Sequence, residues 1–422
     1  MRVVTEGLNF PTSLTFGEDG TFYVAESGLP FGGAPVGGKV WRIDSARERT
    51  CLLSYLRPPV NGVVYHEGGL IVSEGGYPGR ISRLDLASGE VTTLIDDLPG
   101  FGNYQTNMVA MGPDGKLYFS QGALTNSGII GLDSHDLGWL RHVPHNCDLP
   151  GYDVVLNDVT AVTRDPRSED QSATVATGAF SPFGTVHPDG FEIKGTLPCT
   201  SAVMRCNPDG SDLELVAWGL RNAYGLGFLP DGRLLATDQG TDARGSRPLA
   251  NCPDALFEVR PGAWYGWPDF VCGRPATSPE FQAPGSHPAV FVLKNHASLP
   301  TPEQPLLEFE INSSAVKFDI IPRDHPTLGG QMVVALFGDE RPVTGPAGPR
   351  VGRGLLRVDP QDWSRHPVKS EGLKRPIDVR FGVNGSGFVV DFGDFAITPD
   401  KGLSARPGSG KLFQFEVNAL EV

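Results

Sequence analysis

One short signature recurs along the chain, and recurrence of a supersecondary unit restricts the fold more tightly than any single motif. It reads Phe16-Gly-Glu-Asp-Gly-Thr-Phe-Tyr-Val-Ala, then His66-Glu-Gly-Gly-Leu-Ile-Val-Ser, Met111-Gly-Pro-Asp-Gly-Lys-Leu-Tyr-Phe-Ser and Phe228-Leu-Pro-Asp-Gly-Arg-Leu-Leu-Ala-Thr. A weaker copy is Leu328-Gly-Gly-Gln-Met-Val-Val-Ala, and the last is Phe381-Gly-Val-Asn-Gly-Ser-Gly-Phe-Val-Val. The Asp-Gly or Asn-Gly pair supplies the positive φ angles of a tight turn, and the apolar residues beside it supply two strands. Each copy predicts a β-hairpin.

A third strand follows each hairpin at variable distance: Lys39-Val-Trp-Arg-Ile-Asp, Arg80-Ile-Ser-Arg-Leu-Asp, Ala202-Val-Met-Arg-Cys-Asn, Ala255-Leu-Phe-Glu-Val-Arg, Gly354-Leu-Leu-Arg-Val-Asp and Lys411-Leu-Phe-Gln-Phe-Glu. A fourth follows in copies such as Thr50-Cys-Leu-Leu-Ser and Val91-Thr-Thr-Leu-Ile. Four strands per unit in six units predict an all-β, six-bladed β-propeller spanning residues 1–422 as one domain. Arg2-Val-Val is expected to complete the sheet containing Lys411, which removes the open edges of a linear array. Two long insertions, Ser127 to Thr200 and Gly273 to Pro305, are assigned to blades three and five, and loops of that size usually carry function.

Composition agrees. Gly 54 and Pro 37 are scattered, as many turns require, and 39% hydrophobic residues suffice for a sizeable core. No apolar run approaches the ~18 residues of a membrane helix. A net charge of −14 argues against nucleic acid or an anionic membrane as the main partner and leaves a small molecule as the expected one. The N-terminus lacks signal-peptide character, so a cytoplasmic location is expected as the sequence stands, and an extracellular or periplasmic one if a leader has been removed. Cys199 with Cys206 and Cys252 with Cys272 are spaced to pair across loops, or all six cysteines are free thiols.

In a propeller the ends of the second strands gather near one channel mouth. Reading four residues past the first apolar position of each second strand gives Glu26, Glu74, Gln121, Asp238, Leu336 and Asp391. This acidic ring has two readings: it holds a cation or orients hydroxyls, or its carboxylates accept hydrogen bonds from loop backbone. The segments entering the first strands place Arg221 and Arg375 beside it, either to grip an anionic ligand or to pair with Asp238 and Asp391.

The run Gly219-Leu-Arg-Asn-Ala-Tyr-Gly-Leu-Gly-Phe-Leu-Pro-Asp-Gly, the turn Pro261-Gly-Ala-Trp-Tyr-Gly-Trp-Pro-Asp-Phe, Arg375-Pro-Ile-Asp-Val-Arg-Phe-Gly and Val389-Val-Asp-Phe-Gly together resemble the soluble sugar dehydrogenases that use pyrroloquinoline quinone, including the L-sorbosone dehydrogenase-like branch. The resemblance implies a quinoprotein oxidoreductase in which the quinone lies over the mouth, calcium polarises it, and a sugar hydroxyl or aldehyde is oxidised. It implies that Arg221, Asn222, Gln239 and Arg375 surround the quinone, that Asp254 and Gly240 contribute to the metal, and that Arg221 with Tyr104 or Gln105 stands at the reacting atoms. The family's catalytic histidine would fall within Asn103-Tyr104-Gln105-Thr106, its orienting aspartate at Ala123, the second calcium carboxylate at Ala255 and a second arginine at Ile377. These departures motivate two alternatives: a quinone-free propeller enzyme using the acidic ring for hydrolase, lyase or isomerase chemistry on a lactone or secondary metabolite, or a non-catalytic small-molecule binder.

Other features have bland and functional readings side by side. His66 is a turn residue or a substitute base. His135, His142 and His145 with Asp133 and Asp136 form a surface loop or a metal cluster, though their spacing fits no helical two-histidine motif. Trp264, Tyr265 and Trp267 pack a turn or stack on a ligand. Ser313-Ser314 lacks the context of a serine nucleophile.

Overall fold

The computed structural model is described for residues 1–344, 348–382, 385–398, 400 and 402–420. Six principal sheets form in succession among the described residues, antiparallel except where Glu214–Trp218 pairs parallel with Ala263–Trp264 at the edge of blade three, and each opens on an inner strand. The inner strands are Pro11–Phe16, Val60–His66, Thr106–Met111, Ala223–Phe228, Ala315–Ile320 and Pro376–Phe381. This is the six-bladed propeller that the repeats predict. The closing sheet is built from both chain ends: Arg2–Leu8 pairs antiparallel with Gly410–Phe415, Arg2 opposite Gln414.

The hairpin chemistry accounts for the first two strands of each blade. Gly20 at φ 80° and Gly232 at φ 92° occupy the left-handed region. The preceding aspartates cap the turns, Asp19 accepting the Thr21 amide at 2.9 Å and Asp231 the Arg233 amide at 3.1 Å. Val383 and Asn384 of the sixth hairpin lie outside the described residues. Apolar side chains of neighbouring sheets interdigitate between blades, with Leu14, Val24, Val379, Val389 and Leu412 in one such cluster.

One insertion sits in a different blade from the one expected. Residues 127–200 do lie within blade three, between Leu117–Gln121 and Ala202–Cys206. Residues 273–305, however, separate the third strand of blade four, Ala255–Glu258, from its outer strand Leu307–Glu308. That outer strand is two residues long, too short to leave an alternating pattern in the sequence. The cysteines are all free thiols, so neither cross-loop disulfide forms.

Polar side chains fill the axis. Lys317 Nζ donates to the Thr12 carbonyl at 2.6 Å and to the Asn61 carbonyl, while the Tyr224 hydroxyl donates to Asn61 Oδ1 at 3.3 Å. No helix among the described residues is long and apolar enough to cross a membrane.

Candidate functional site

The acidic station exists, and its geometry is that of backbone capping. Glu26, Glu74, Gln121, Asp238 and Asp391 each end a second strand, directly opposite the first residue of the inner strand. Glu26 accepts the Asn9 amide at 2.7 Å, and Glu74 the Arg57 amide at 2.6 Å. Asp238 accepts the Asn222 and Arg221 amides at 2.6 and 3.1 Å, and Asp391 those of Lys374 and Arg375 at 2.6 and 3.0 Å. Gln121 accepts the Thr106 hydroxyl at 2.9 Å. Each side chain thus serves the segment entering its own blade: the four carboxylates give its buried backbone the partners it must have, Gln121 takes the Thr106 hydroxyl instead, and Glu74 also pairs with Arg80 at 2.6 Å. Burial raises Glu26 and Asp391 above the ordinary carboxylate range and Asp238 to about 7. Among the described residues no group of three or more His, Cys, Asp or Glu is arranged to hold a metal.

Leu336 breaks the ring in blade five, and Asp254 of blade four takes over its task. The Asp254 carboxylate accepts the Ala315 amide and the Gly240 amide, both at 2.9 Å, and the Ser313 hydroxyl at 3.2 Å.

Arg221 organises the mouth between blades three and four. Its side chain is 4% exposed. Nε donates to the Asn126 carbonyl at 3.0 Å, Nη1 to the Gly240 and Gln239 carbonyls at 2.6 and 3.2 Å, and Nη2 to Asn126 Oδ1 at 2.6 Å and Asp242 at 3.1 Å. Nη2 also reaches the Tyr104 hydroxyl, and the guanidinium lies 4.4 Å from the Tyr104 ring centre. Arg244 donates to the same hydroxyl at 2.9 Å, to Asp242 at 3.1 Å and to Asp133. Two cations and two carboxylates therefore enclose one phenol, and their formal charges cancel. Burial raises the Tyr104 phenol above its ordinary value, and Arg221 and Arg244 only oppose that shift, so the hydroxyl stays protonated near neutrality.

An amide relay borders this cluster. Asn107 Nδ2 donates to Asn222 Oδ1 at 2.8 Å, Asn222 Nδ2 to Gln239 Oε1 at 2.7 Å, and Gln239 Nε2 to the Ser314 hydroxyl at 2.6 Å. Gln105 is elsewhere engaged: it accepts the Phe101 amide at 2.8 Å and donates to the Gly102 carbonyl at 2.9 Å, clipping its own loop. Arg221, Tyr104, Asn222 and Gln239 are thus brought together, whereas Gln105 and Arg375 are not part of the group.

Arg375 is 1% exposed and faces blade five. Its Nη1 donates to the Phe337, Gly338 and Asp339 carbonyls at 3.1, 3.0 and 3.2 Å, Nε and Nη2 reach the Phe395 carbonyl, and Nη2 meets Glu340. Neither arginine's guanidinium pairs with Asp238 or Asp391; only the backbone amides do.

These contacts decide whether the quinone and its calcium fit. A quinone bearing several carboxylates needs cationic donors with spare hydrogen bonds. The guanidinium groups of Arg221 and Arg375 are instead buried and directed at carbonyls and carboxylates of the chain itself. On the metal side, both Asp254 oxygens accept protein donors and the Gly240 carbonyl accepts a cation. The residues that the resemblance assigns to them, Arg221, Arg375, Asp254 and Gly240, do not fit either group.

The remaining candidates separate cleanly. His66 ends an inner strand at the face opposite the mouth, so it stands away from the cluster. His135 contacts Arg141, His142 the Phe101 ring and His145 Tyr77, which disperses the trio. Trp264, Tyr265 and Trp267 are buried, with Trp267 Nε1 donating to the Asn126 carbonyl at 3.3 Å. Sequence reading missed Arg244, Asp242 and Asn126, and placed Asp133 only with the histidine trio. Asp242 and Arg244 sit in Thr241-Asp-Ala-Arg-Gly directly after Gln239-Gly240, which was the available signal.

No protein-family model and no curated protein matches the sequence. Solved structures do match the fold. The PQQ-bound aldose sugar dehydrogenase of Streptomyces coelicolor aligns with TM-score 0.57 at 15% identity over 99% of this chain and 96% of its own. The soluble aldose sugar dehydrogenase of Escherichia coli, in its apo form, gives 0.56 at 12% over 98% and 97%, and the pyranose dehydrogenase PQQ domain of Coprinopsis cinerea 0.57 at 12% over 98% and 94%. The resemblance drawn from the blade-four and blade-six motifs therefore holds at the level of architecture: this chain shares the propeller fold of the soluble aldose sugar dehydrogenases.

Proposed function

We propose that this chain binds a small, neutral, hydroxyl- or carbonyl-bearing molecule, a sugar, polyol or lactone, at the mouth between blades three and four without a quinone. The observation that carries this reading is the charge-balanced group of Arg221, Arg244, Asp242 and Asp133 around the Tyr104 hydroxyl. Such a group offers directed donors and acceptors to a polar neutral ligand and no surplus cation to a polycarboxylate. Arg244, partly exposed, and Gln239 are the side chains placed to meet the ligand.

A second reading, a quinoprotein sugar or aldehyde dehydrogenase, draws on the fold shared with PQQ-bound neighbours. One titration separates the two. Thermal shift and calorimetry with pyrroloquinoline quinone, with and without calcium, are expected to give no saturable binding, whereas a panel of sugars, polyols and lactones gives at least one stabilising ligand. Stoichiometric quinone binding followed by quinone reduction on sugar addition overturns the first reading in favour of the second.

A further inference from the structure

Beside the mouth, the loops leaving the second strands of blades four and five, together with Ile311 and Asn312 of the link between the two blades, line an open cavity of about 240 Å³. Its wall mixes Leu249, Ala250 and Ile311 with the polar Asn251, Asn312 and Thr344, and no carboxylate lines it among the described residues. Its charged side chain is Arg341.

Arg341 is held in place without being neutralised. Nη1 donates to the Pro349 carbonyl at 3.1 Å and Nη2 to the Ile311 carbonyl at 3.4 Å, while the buried Nε has no acceptor. Among the described residues it forms no ion pair, because the neighbouring carboxylates are engaged: Asp339 by Arg350 at 3.2 Å and Glu340 by Arg375. The half-buried guanidinium thus keeps Nη donors that no carboxylate among the described residues takes. A planar carboxylate in the cavity supplies the missing counter-charge by accepting from Nη1 and Nη2 in two parallel hydrogen bonds, while the fully buried Nε stays out of its reach.

We propose that this cavity is a binding site for a small organic carboxylate with an apolar body, its carboxylate on Arg341 and its body against Leu249, Ala250 and Ile311. The volume lies below the roughly 300 Å³ at which pockets for drug-sized molecules begin, which restricts the ligand to a compact acid. The site is separate from the neutral-ligand site, since Tyr104, Arg221, Asp242 and Arg244 do not line it, and its test does not depend on that reading.

Fluorine NMR on the full chain with para-fluorobenzoate, and with para-fluorobenzamide as the uncharged isostere, tests the assignment. The benzoate is expected to bind saturably with a millimolar or tighter Kd, about tenfold or more tighter than the amide. Arg341→Met is expected to reduce benzoate binding to the level of the amide, while Arg341→Lys retains part of it. Should Arg341→Met melt at a lower temperature than the parent chain, Ala250→Leu provides the readout, because it fills the cavity and leaves the cation in place; benzoate binding is then expected to fall. Equal binding of benzoate and benzamide, undiminished benzoate binding in a folded Arg341→Met or in Ala250→Leu, or no saturable benzoate binding overturns the proposal. Competition by inorganic phosphate as effective as by unlabelled benzoate overturns the carboxylate assignment.

Discussion

Asp254 of blade four accepts the backbone amide of Ala315 in blade five at 2.9 Å, spanning the blade boundary where Leu336 supplies no carboxylate. Asp254 is 4% exposed and also holds Gly240 and Ser313, so its loss strands several buried donors at once. Asp254→Ala is expected to destabilise the fold by about 2 to 4 kcal/mol in urea unfolding. Because the carboxylate serves protein donors rather than calcium, chelator is expected to leave the melting temperature of the parent chain unchanged; a clear drop would restore the metal reading.

Arg375 and Glu340 form a buried pair between blades six and five. Burial raises the Glu340 carboxyl, with Arg375 opposing the shift, and lowers Arg375 to about 10. Removing one partner leaves the other charge buried and unpaired, a change that costs roughly 3–5 kcal/mol. Arg375→Met is expected to lose that much in denaturant unfolding, and Arg375→Met with Glu340→Gln to recover part of it. A surface-like loss below 1 kcal/mol in the single variant would contradict the pairing.

Lys317 on the axis gives a pH signature. Desolvation lowers its ammonium to about 7, with Asp378 opposing that shift and Arg380 adding to it, and its amine lies 5.4 Å from the Tyr224 ring centre. Between that value and the ordinary lysine range the unfolded chain binds the additional proton, so stability rises with pH across this window. Below it both states are protonated and the full cost of burying the charge is present. The unfolding free energy of the parent chain minus that of Lys317→Met is expected to increase from pH ~7 to ~10 by an amount on the order of a few kcal/mol. A flat difference would refute the depressed amine.

Tyr104 places one hydroxyl under both mouth arginines. Tyr104→Phe keeps the ring beneath Arg221 and removes the shared acceptor, so a stability loss of about 1 kcal/mol is expected. Any neutral ligand found in the panel is expected to bind about tenfold more weakly to this variant. Unchanged affinity would move the ligand away from Tyr104.

Repetition made the architecture legible in the sequence. Turn geometry and strand alternation are local properties, so the Asp-Gly hairpins, the third strands and the second-strand stations at Glu26, Glu74, Gln121, Asp238 and Asp391 could be read from spacing alone. The resemblance likewise pointed to Arg221, Asn222 and Gln239, which do meet at one mouth. Which atoms those side chains touch was decided by tertiary structure. Asp133 comes from the blade-three insertion, and Asp242 and Arg244 from a blade-four loop; only blade closure brings them to Tyr104. The same holds for Arg375, whose acceptors lie in loops of blades five and six. It holds again for Asp254, whose part in blade five depends on a neighbour nearly sixty residues away, Ser313. Hairpin chemistry acts within a few residues and is written in order along the chain, whereas burial, charge balance and donor satisfaction depend on distances that exist only once the propeller has closed.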